Sequence, residues 1–155
     1  MPDDSPDILL VEDNAKDVKL TQHSLKEENL GNRIEVVRDG EEALDFIYCR
    51  GCYAGRRLDR PPRLVLLDLK LPKVDGLEVL RVLKSDSTTK VIPIVILTSS
   101  KEGKDLIESY QLGANAYIQK PVDFDKFRQV IKQLGLFWLV VNEPPPLAAF
   151  QPKKG

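Results

Sequence analysis

Short apolar runs alternate along the chain with segments in which apolar residues recur at helical spacing. Five of the runs are predicted strands, since they are brief, apolar and bounded by turn residues. They cover Ile8–Val11, Ile34–Val37, Leu64–Leu67, 92–97 and Ala116–Gln119. The predicted helices cover 16–28, 41–48, 77–83 and 102–112, and a last helix, capped by Asp123, runs to about residue 138. This alternation predicts an α/β fold.

Fully apolar strands are typical of a parallel sheet that has helices on both faces. Crossover connections between parallel strands are right-handed, which restricts the possible topologies. We therefore predict a doubly wound five-stranded parallel sheet in the flavodoxin-like order 2-1-3-4-5. The predicted divisions are an N-terminal tail at 1–6, one domain at 7–138 and a Pro-rich tail at 139–155. We expect a tail of that length to carry no output domain, so that the protein acts through contact with another protein or as a phosphorelay station.

The composition excludes several function classes. The formal net charge of −1 gives no reason to expect nucleic-acid binding, which usually requires a basic surface. The acidic start "MPDDSPD" lacks the pattern of a signal peptide. No apolar run approaches the roughly 20 residues that span a bilayer, so we expect a cytoplasmic protein without membrane contact.

Two features of the middle of the chain have ordinary explanations. Cys49 and Cys52 form a C-x-x-C pair, but the pair closes a helix rather than opening one, and the single histidine, His23, is distant in sequence. We interpret them as incidental loop thiols, with a redox or metal role as the alternative. The arginine-rich loop at 51–62 is interpreted as solvated, with a docking patch as the alternative.

Polar residues follow four of the five predicted strands. Glu12 and Asp13 follow the first, Asp68 follows the third, Thr98 ends the fourth and Lys120 follows the fifth. Because ligands of such sheets bind at the carboxyl ends of the strands, we expect these groups to meet. Each has an ordinary explanation by itself, such as a helix cap or a surface charge. Together they predict a Mg²⁺ site beside a carboxylate that accepts a phosphoryl group, with Thr98 and Lys120 contacting its oxygens.

The segments that carry these residues resemble a known family. They read "LLVEDN" at 9–14, "LVLLDLKLPKVDG" at 64–76, "IVILTSS" at 94–100 and "GANAYIQKP" at 113–121. They resemble the receiver domain of two-component response regulators over about residues 7–136. The resemblance implies the receiver version of the flavodoxin-like fold. It also implies a signalling protein with a phosphoacceptor, rather than a metabolic enzyme.

The resemblance assigns roles to individual residues. Asp68 is the phosphoacceptor, and Mg²⁺ is bound by Glu12, Asp13, Asp68 and the backbone carbonyl of Lys70. Phosphoryl binding and switching are assigned to Thr98, Lys120 and Tyr117. The resemblance also implies a cis peptide bond between Lys120 and Pro121. Before proline, a cis bond costs little.

Three further features resemble the stand-alone response regulators of cyanobacterial phytochromes. They are the insert "RGCYAGRRLDRPPR", the turn "LPKVDG" and the pair "FW" at 137–138 before the Pro-rich tail. The resemblance implies a phytochrome-type sensor histidine kinase as partner and a homodimer formed by the face of the fourth helix, fifth strand and fifth helix. Phe137 and Trp138 are the candidate dimer surface. The alternative is that this apolar stretch folds back on the domain's own core.

Three other functions compete with the phosphoacceptor interpretation. A phosphorylation-independent pseudo-receiver scaffold usually lacks one of the acids or the lysine, and this chain retains all of them. A phosphohydrolase of the haloacid-dehalogenase type has a second acid two residues after its nucleophile, where this chain has Lys70. A flavodoxin is disfavoured because the acidic "EDNAKD" segment would repel a cofactor phosphate.

Overall fold

Five parallel strands form a single sheet in the computed structural model, which describes residues 6–29, 33–146 and 149. The strands are β1 (Ile8–Val11), β2 (Ile34–Val37), β3 (Leu64–Leu67), β4 (Ile94–Thr98) and β5 (Ala116–Gln119). The helices are α1 (Ala15–Glu27), α2 (Gly40–Ile47), α3 (Gly76–Ser85), α4 (Gly103–Leu112) and α5 (Phe124–Leu136). The strand order is β2-β1-β3-β4-β5, which confirms the predicted fold.

The side chains of each strand alternate between two apolar layers. In β1, Leu9 and Val11 belong to the layer that contains Phe46 of α2 and Leu80 of α3. Ile8 and Leu10 belong to the opposite layer, together with residues of α1 and α5 such as Ile131. Since both faces of the sheet are covered, β1, β3 and β4 are buried along their whole length. This explains why their sequences are continuously apolar.

Side-chain caps fix the starts of the helices that lead away from the carboxyl edge of the sheet. The Asn14 side chain accepts hydrogen bonds from the backbone N–H groups of Lys16 and Asp17, at 3.0 and 3.1 Å. Asp123 caps α5 by accepting from the Lys126 N–H at 3.0 Å, as predicted. Strand β4 begins at Ile94 rather than at residue 92, because Pro93 has no N–H to donate to the sheet.

The C-terminal helical segment extends beyond the predicted boundary at 138. After α5, a π-helical turn runs from Phe137 to Val141. Leu139 is buried in the layer beneath α1 and α5, and its carbonyl oxygen accepts a hydrogen bond from Arg63 at 2.7 Å. Trp138 also packs against this layer, whereas Phe137 is exposed. Residues 1–5 of the predicted N-terminal tail, and 147–148 and 150–155 of the C-terminal tail, lie outside the described residues.

A group of charges links α1 to α5. Glu27 accepts hydrogen bonds from Arg128 at 2.6 Å and lies 3.1 Å from the Lys132 ammonium. The hydrogen bonds from Arg128, followed by those from Lys132, lower the pKa of Glu27 to about 2 from an ordinary value of 4.5. A carboxyl group with a lowered folded-state pKa stabilises the fold above its unfolded pKa. That contribution is lost as the pH falls through the folded value.

Glu27→Gln is therefore expected to lower the urea midpoint slightly at pH 7. The pair is partly exposed, so the effect is small. The difference from the unsubstituted protein should shrink as the pH falls from about 4.5 toward 2, since both carboxyl groups and amides are then uncharged. Urea unfolding at a series of pH values measures this. A difference that stays constant with pH would contradict the electrostatic explanation.

Candidate functional site

The carboxyl edge of the sheet brings the predicted acidic residues together. Glu12 and Asp13 directly follow β1, and Asp68 directly follows the neighbouring strand β3. One carboxylate oxygen from each of the three lies within 4.8 Å of the others. Glu12 and Asp68 are buried, while Asp13 is exposed. Three hard oxygen donors at this spacing suit a Mg²⁺ or Mn²⁺ ion, so the donor set fits the predicted metal.

Lys120 crosses from β5 to the acidic cluster. Its ammonium group donates to Glu12 and lies 2.9 Å from oxygens of both Asp68 and Asp17. Its backbone N–H donates to the carbonyl of Thr98 at 2.7 Å, which holds the start of the β5–α5 loop against the end of β4. The lysine side chain is only 8% exposed. A buried ammonium needs paired acids, and here three carboxylates supply them.

The prediction of a cis peptide bond between Lys120 and Pro121 was wrong. The described part of the chain contains no cis peptide bond. The physical reason is that the trans isomer before proline is still favoured, by about 0.5–1 kcal/mol. The ammonium of Lys120 reaches its three carboxylate partners with the bond in this isomer.

The site carries more negative charge than its one ammonium neutralises. Burial raises the pKa of Glu12 to about 7, opposed by its hydrogen bond with Lys120 and assisted by the charge of Asp68. Burial also acts to raise the pKa of Asp68, but the nearby Lys120 charge and hydrogen bond outweigh it, so this pKa is lowered. Burial acts to lower the pKa of Lys120, and its hydrogen bonds to Glu12 and Asp17 raise it overall. Asp68 is therefore ionised at neutral pH.

The other predicted residues surround this cluster. Thr98 is fully buried, and its hydroxyl accepts a hydrogen bond from the Ser100 N–H at 3.2 Å. Tyr117 pairs with Ile96 in the β4–β5 register, so its side chain and that of Thr98 project from the same face of the sheet. The Lys70 N–H lies 3.4 Å from Asp68 Oδ1, so the turn after β3 stays close to the acids. The roles of Thr98, Tyr117 and the Lys70 carbonyl remain predictions.

An open cleft of about 470 Å³ leads to the acidic cluster. Its lining includes Asp13, Lys70, Asp75 and Asp105. Asp105 accepts a hydrogen bond from the buried Ser100 hydroxyl at 2.6 Å, which connects the end of β4 to the first turn of α4. Asp13, the exposed member of the acidic cluster, therefore lines this cleft.

Sequence reasoning missed Asp17, the third carboxylate partner of Lys120. Asp17 lies in the first turn of α1, three residues after the capping residue Asn14. An acid at that position is ordinarily explained by the positive end of the helix. Its position in the sequence could have identified it, because Asp17 comes four residues after Asp13. At helical spacing the side chains of two such residues point in similar directions, here toward the carboxyl edge of the sheet.

The C-x-x-C pair and the arginine-rich loop lie away from this site. Cys49 is half-buried and Cys52 exposed, and neither belongs to a group of three or more potential metal ligands within the described residues. The loop is less solvated than predicted at Arg56. Its guanidinium lies 3.6 Å from the centre of the Phe46 ring and donates to the Phe46 carbonyl. This contact anchors the loop to α2.

Comparison with known proteins decides the family. The family model described as "Response regulator receiver domain" matches residues 8–132. The chain belongs to the response regulator receiver family. A receiver domain is a signalling module, and in this chain the acidic cluster and Lys120 lie together at the carboxyl edge of the sheet. No helix in the described part of this receiver has the length and apolar character needed to cross a membrane.

The similar relatives include phytochrome response regulators. Response regulator Rcp1 of Synechocystis sp. is 39% identical over 132 residues, which cover 85% of this chain and 88% of Rcp1. A crystal structure of Rcp1 is a Mn²⁺-bound form, with a TM-score of 0.84 at 37% identity, covering 90% of this chain and 98% of the Rcp1 chain. The phosphorylated cyanobacterial phytochrome response regulator RcpA has a TM-score of 0.85 at 40% identity, covering 92% of this chain and 99% of RcpA.

A third relative differs in its named role. The probable methanogenesis regulatory protein FilR2 of Methanothrix harundinacea is 40% identical over 138 residues, which cover 89% of this chain and 86% of FilR2. Receivers of similar sequence therefore carry names from different signalling contexts.

Proposed function

We propose that this protein is a stand-alone response regulator that accepts a phosphoryl group on Asp68 from a sensor histidine kinase. The supporting observation is the ionised, buried Asp68 carboxylate, held between Glu12 and the Lys120 ammonium beside an accessible cleft. A carboxylate oxygen attacks phosphorus, the P–N bond of the kinase phosphohistidine breaks, and the imidazole leaves. The product is an acyl phosphate, which water later hydrolyses.

The residues around Asp68 supply charge and orientation for this transfer. Lys120 lies 2.9 Å from Asp68 and balances the negative charge of the phosphoryl oxygens. Glu12, Asp13, Asp68 and the backbone carbonyl of Lys70 would hold Mg²⁺, which neutralises charge on the phosphoryl oxygens when it is bound. The protein is a phosphoacceptor that promotes its own phosphorylation and dephosphorylation, and not a metabolic enzyme.

The switch is proposed to act through the α4–β5–α5 face. Thr98 moves toward the phosphoryl group, and the Tyr117 ring, on the same face of the sheet, fills the space that it leaves. α4 already exposes the apolar side chains of Leu106, Ile107 and Tyr110. At the end of α5, Phe137, with its ring 5.1 Å from that of Trp138, is exposed together with Val140 and Val141. These surfaces support a homodimer controlled by phosphorylation.

The partner is proposed to be a phytochrome-type histidine kinase in the cytoplasm. The support is the similarity to Rcp1 and RcpA, together with the "FW" pair and the long insert after α2. The near-neutral net charge supports action without nucleic acid. The test compares phosphoryl transfer to this protein from a purified phytochrome kinase and from an unrelated histidine kinase, each pre-loaded with labelled phosphate. Faster transfer from the phytochrome kinase is expected. Equal transfer from both would contradict the phytochrome assignment.

Intact mass and size-exclusion chromatography test the central proposal together. Incubation with acetyl phosphate and Mg²⁺ is expected to add the mass of one phosphoryl group, and chelation of the metal should prevent the gain. A shift to a dimer in the same sample would support the switching surface. If neither acetyl phosphate nor a cognate kinase produces a mass gain, the pseudo-receiver scaffold becomes the better interpretation.

A further inference from the structure

Among the described residues, Asp17 is the one partner of the Lys120 ammonium that lies outside the proposed metal-binding set. The ammonium makes three contacts, with Glu12, Asp17 and Asp68. Glu12 and Asp68 also belong to the group of oxygens that suits a divalent cation, whereas Asp17 does not. Asp17 lies 103 residues from Lys120 in sequence and reaches it from the first turn of α1.

The arrangement creates a competition for the oxygens of Glu12 and Asp68. An ammonium and a divalent cation repel each other and cannot share the same carboxylate oxygens at short distance. Each carboxylate has two oxygens, and Lys120 contacts only one oxygen of Glu12 and one of Asp68. A cation bound by these two acids therefore weakens their attraction for the ammonium, even where the contact itself persists. The Lys120 side chain is only 8% exposed, so water compensates little for the weakened contacts. A buried ammonium without a partner is costly.

We propose that Asp17 is a positioning residue that keeps the Lys120 ammonium paired while Glu12 and Asp68 bind the cation. This inference rests on the proposed function and adds a residue to it. The Asp17 side chain is 26% exposed, whereas the Lys120 side chain that it contacts is nearly buried. In the resting protein Asp17 is one of three partners. In the cation-bound protein it is the partner whose charge is not shared with the cation, so its contribution is larger in that state.

Asp17→Asn is the direct test, with Mg²⁺ itself as the probe. The substitution removes the charge and keeps the shape, and the Asp17 backbone N–H still donates to the Asn14 cap. We expect the dissociation constant for Mg²⁺, measured by isothermal titration calorimetry, to rise about tenfold, the usual size for a lost charge-assisted hydrogen bond. Asp17→Glu retains a carboxylate that can reach Lys120 and should restore much of the affinity.

Two comparisons separate positioning from a general loss of negative charge. Glu102→Gln removes the same unit charge between β4 and α4, where Glu102 pairs with Lys104 at 3.5 Å, and should change the Mg²⁺ affinity by less than about twofold, because exposed charges are screened. In a Lys120→Gln background, Asp17→Asn should have an effect of less than about threefold, since the ammonium is gone. A full tenfold effect in that background would overturn the proposal, as would unchanged or tighter Mg²⁺ binding by Asp17→Asn alone.

The failure of this inference is distinguishable from failure of the proposed function. Lack of a phosphoryl mass gain in the unsubstituted protein overturns the phosphoacceptor function. A normal mass gain in that protein, combined with normal Mg²⁺ affinity in Asp17→Asn, overturns only the role of Asp17. Thermal melting of each variant confirms that the comparison is made on folded protein.

Discussion

Asp68→Asn is expected to reduce phosphoryl uptake from acetyl phosphate by at least about a thousandfold, because removal of a nucleophile leaves only binding and charge stabilisation. The carboxamide has no charged oxygen with which to attack phosphorus. Neighbouring acids do not replace it easily. Glu12 accepts a hydrogen bond from the Lys120 ammonium and is itself a proposed ligand of the cation. Intact mass after incubation with Mg²⁺ measures the effect.

The same substitution should leave the fold intact, which makes the loss interpretable. Asp68 contributes a buried negative charge to a cluster that holds more acids than ammonium groups. Replacing it with an uncharged group of the same shape removes like-charge repulsion with Glu12. Asp59→Asn is the matched control, because Asp59 pairs with Arg57 in the loop after α2, away from the site. A retained mass gain in Asp68→Asn would mean that another residue is the acceptor, which peptide mapping would then identify.

The fold was predictable because its determinants are local and repeated. The buried strands are continuously apolar, and residues such as Asn14 and Asp123 mark helix starts in the sequence itself. Strand order followed from the rules for parallel α/β sheets rather than from any single residue. The errors occurred where one residue changed the backbone, as at Pro93 before β4, or where a helix continued without a break, as in the π-helical turn Phe137–Val141.

The candidate site was predictable only as far as the strand ends define it. Glu12, Asp13, Asp68, Thr98 and Lys120 each follow or end a strand, so the topology alone brings them to one edge. Asp17 does not follow a strand, so the topology gave no reason to place it at the site. Its proposed role depends on a contact between α1 and Lys120, which follows the distant strand β5. The stacking of Arg56 on Phe46 could not be predicted from the hydrophobic pattern either. Contacts of this kind depend on side-chain reach in three dimensions, which periodicity does not encode.

Gly76→Ala is expected to destabilise the protein by about 3 kcal/mol, the upper end for overpacking, because its new methyl group would meet backbone. A Cβ at Gly76 would lie 2.2 Å from the carbonyl oxygen of Asp68 and 2.6 Å from the Cα of Leu69. The Gly76 N–H also donates to the Leu69 carbonyl at 2.8 Å, so the start of α3 is fastened to the end of β3. Relief of the clash must move α3 or the backbone that positions the Asp68 carboxylate.

Gly103→Ala is the matched control for this prediction, since Gly103 is the first residue of α4 just as Gly76 is the first residue of α3. A Cβ at Gly103 would meet nothing within 4 Å. That substitution should be neutral or stabilise by up to about 1 kcal/mol, through the lower entropy of the unfolded chain. In urea unfolding, the midpoints of the two variants should therefore change in different directions or by very different amounts.

Because the clash involves Asp68, Gly76→Ala should also slow phosphoryl uptake under conditions where the variant is still folded. Equal midpoints for the two variants would show that α3 can shift away from β3 at little cost, and that the close contact at Gly76 does not hold the phosphoacceptor in place.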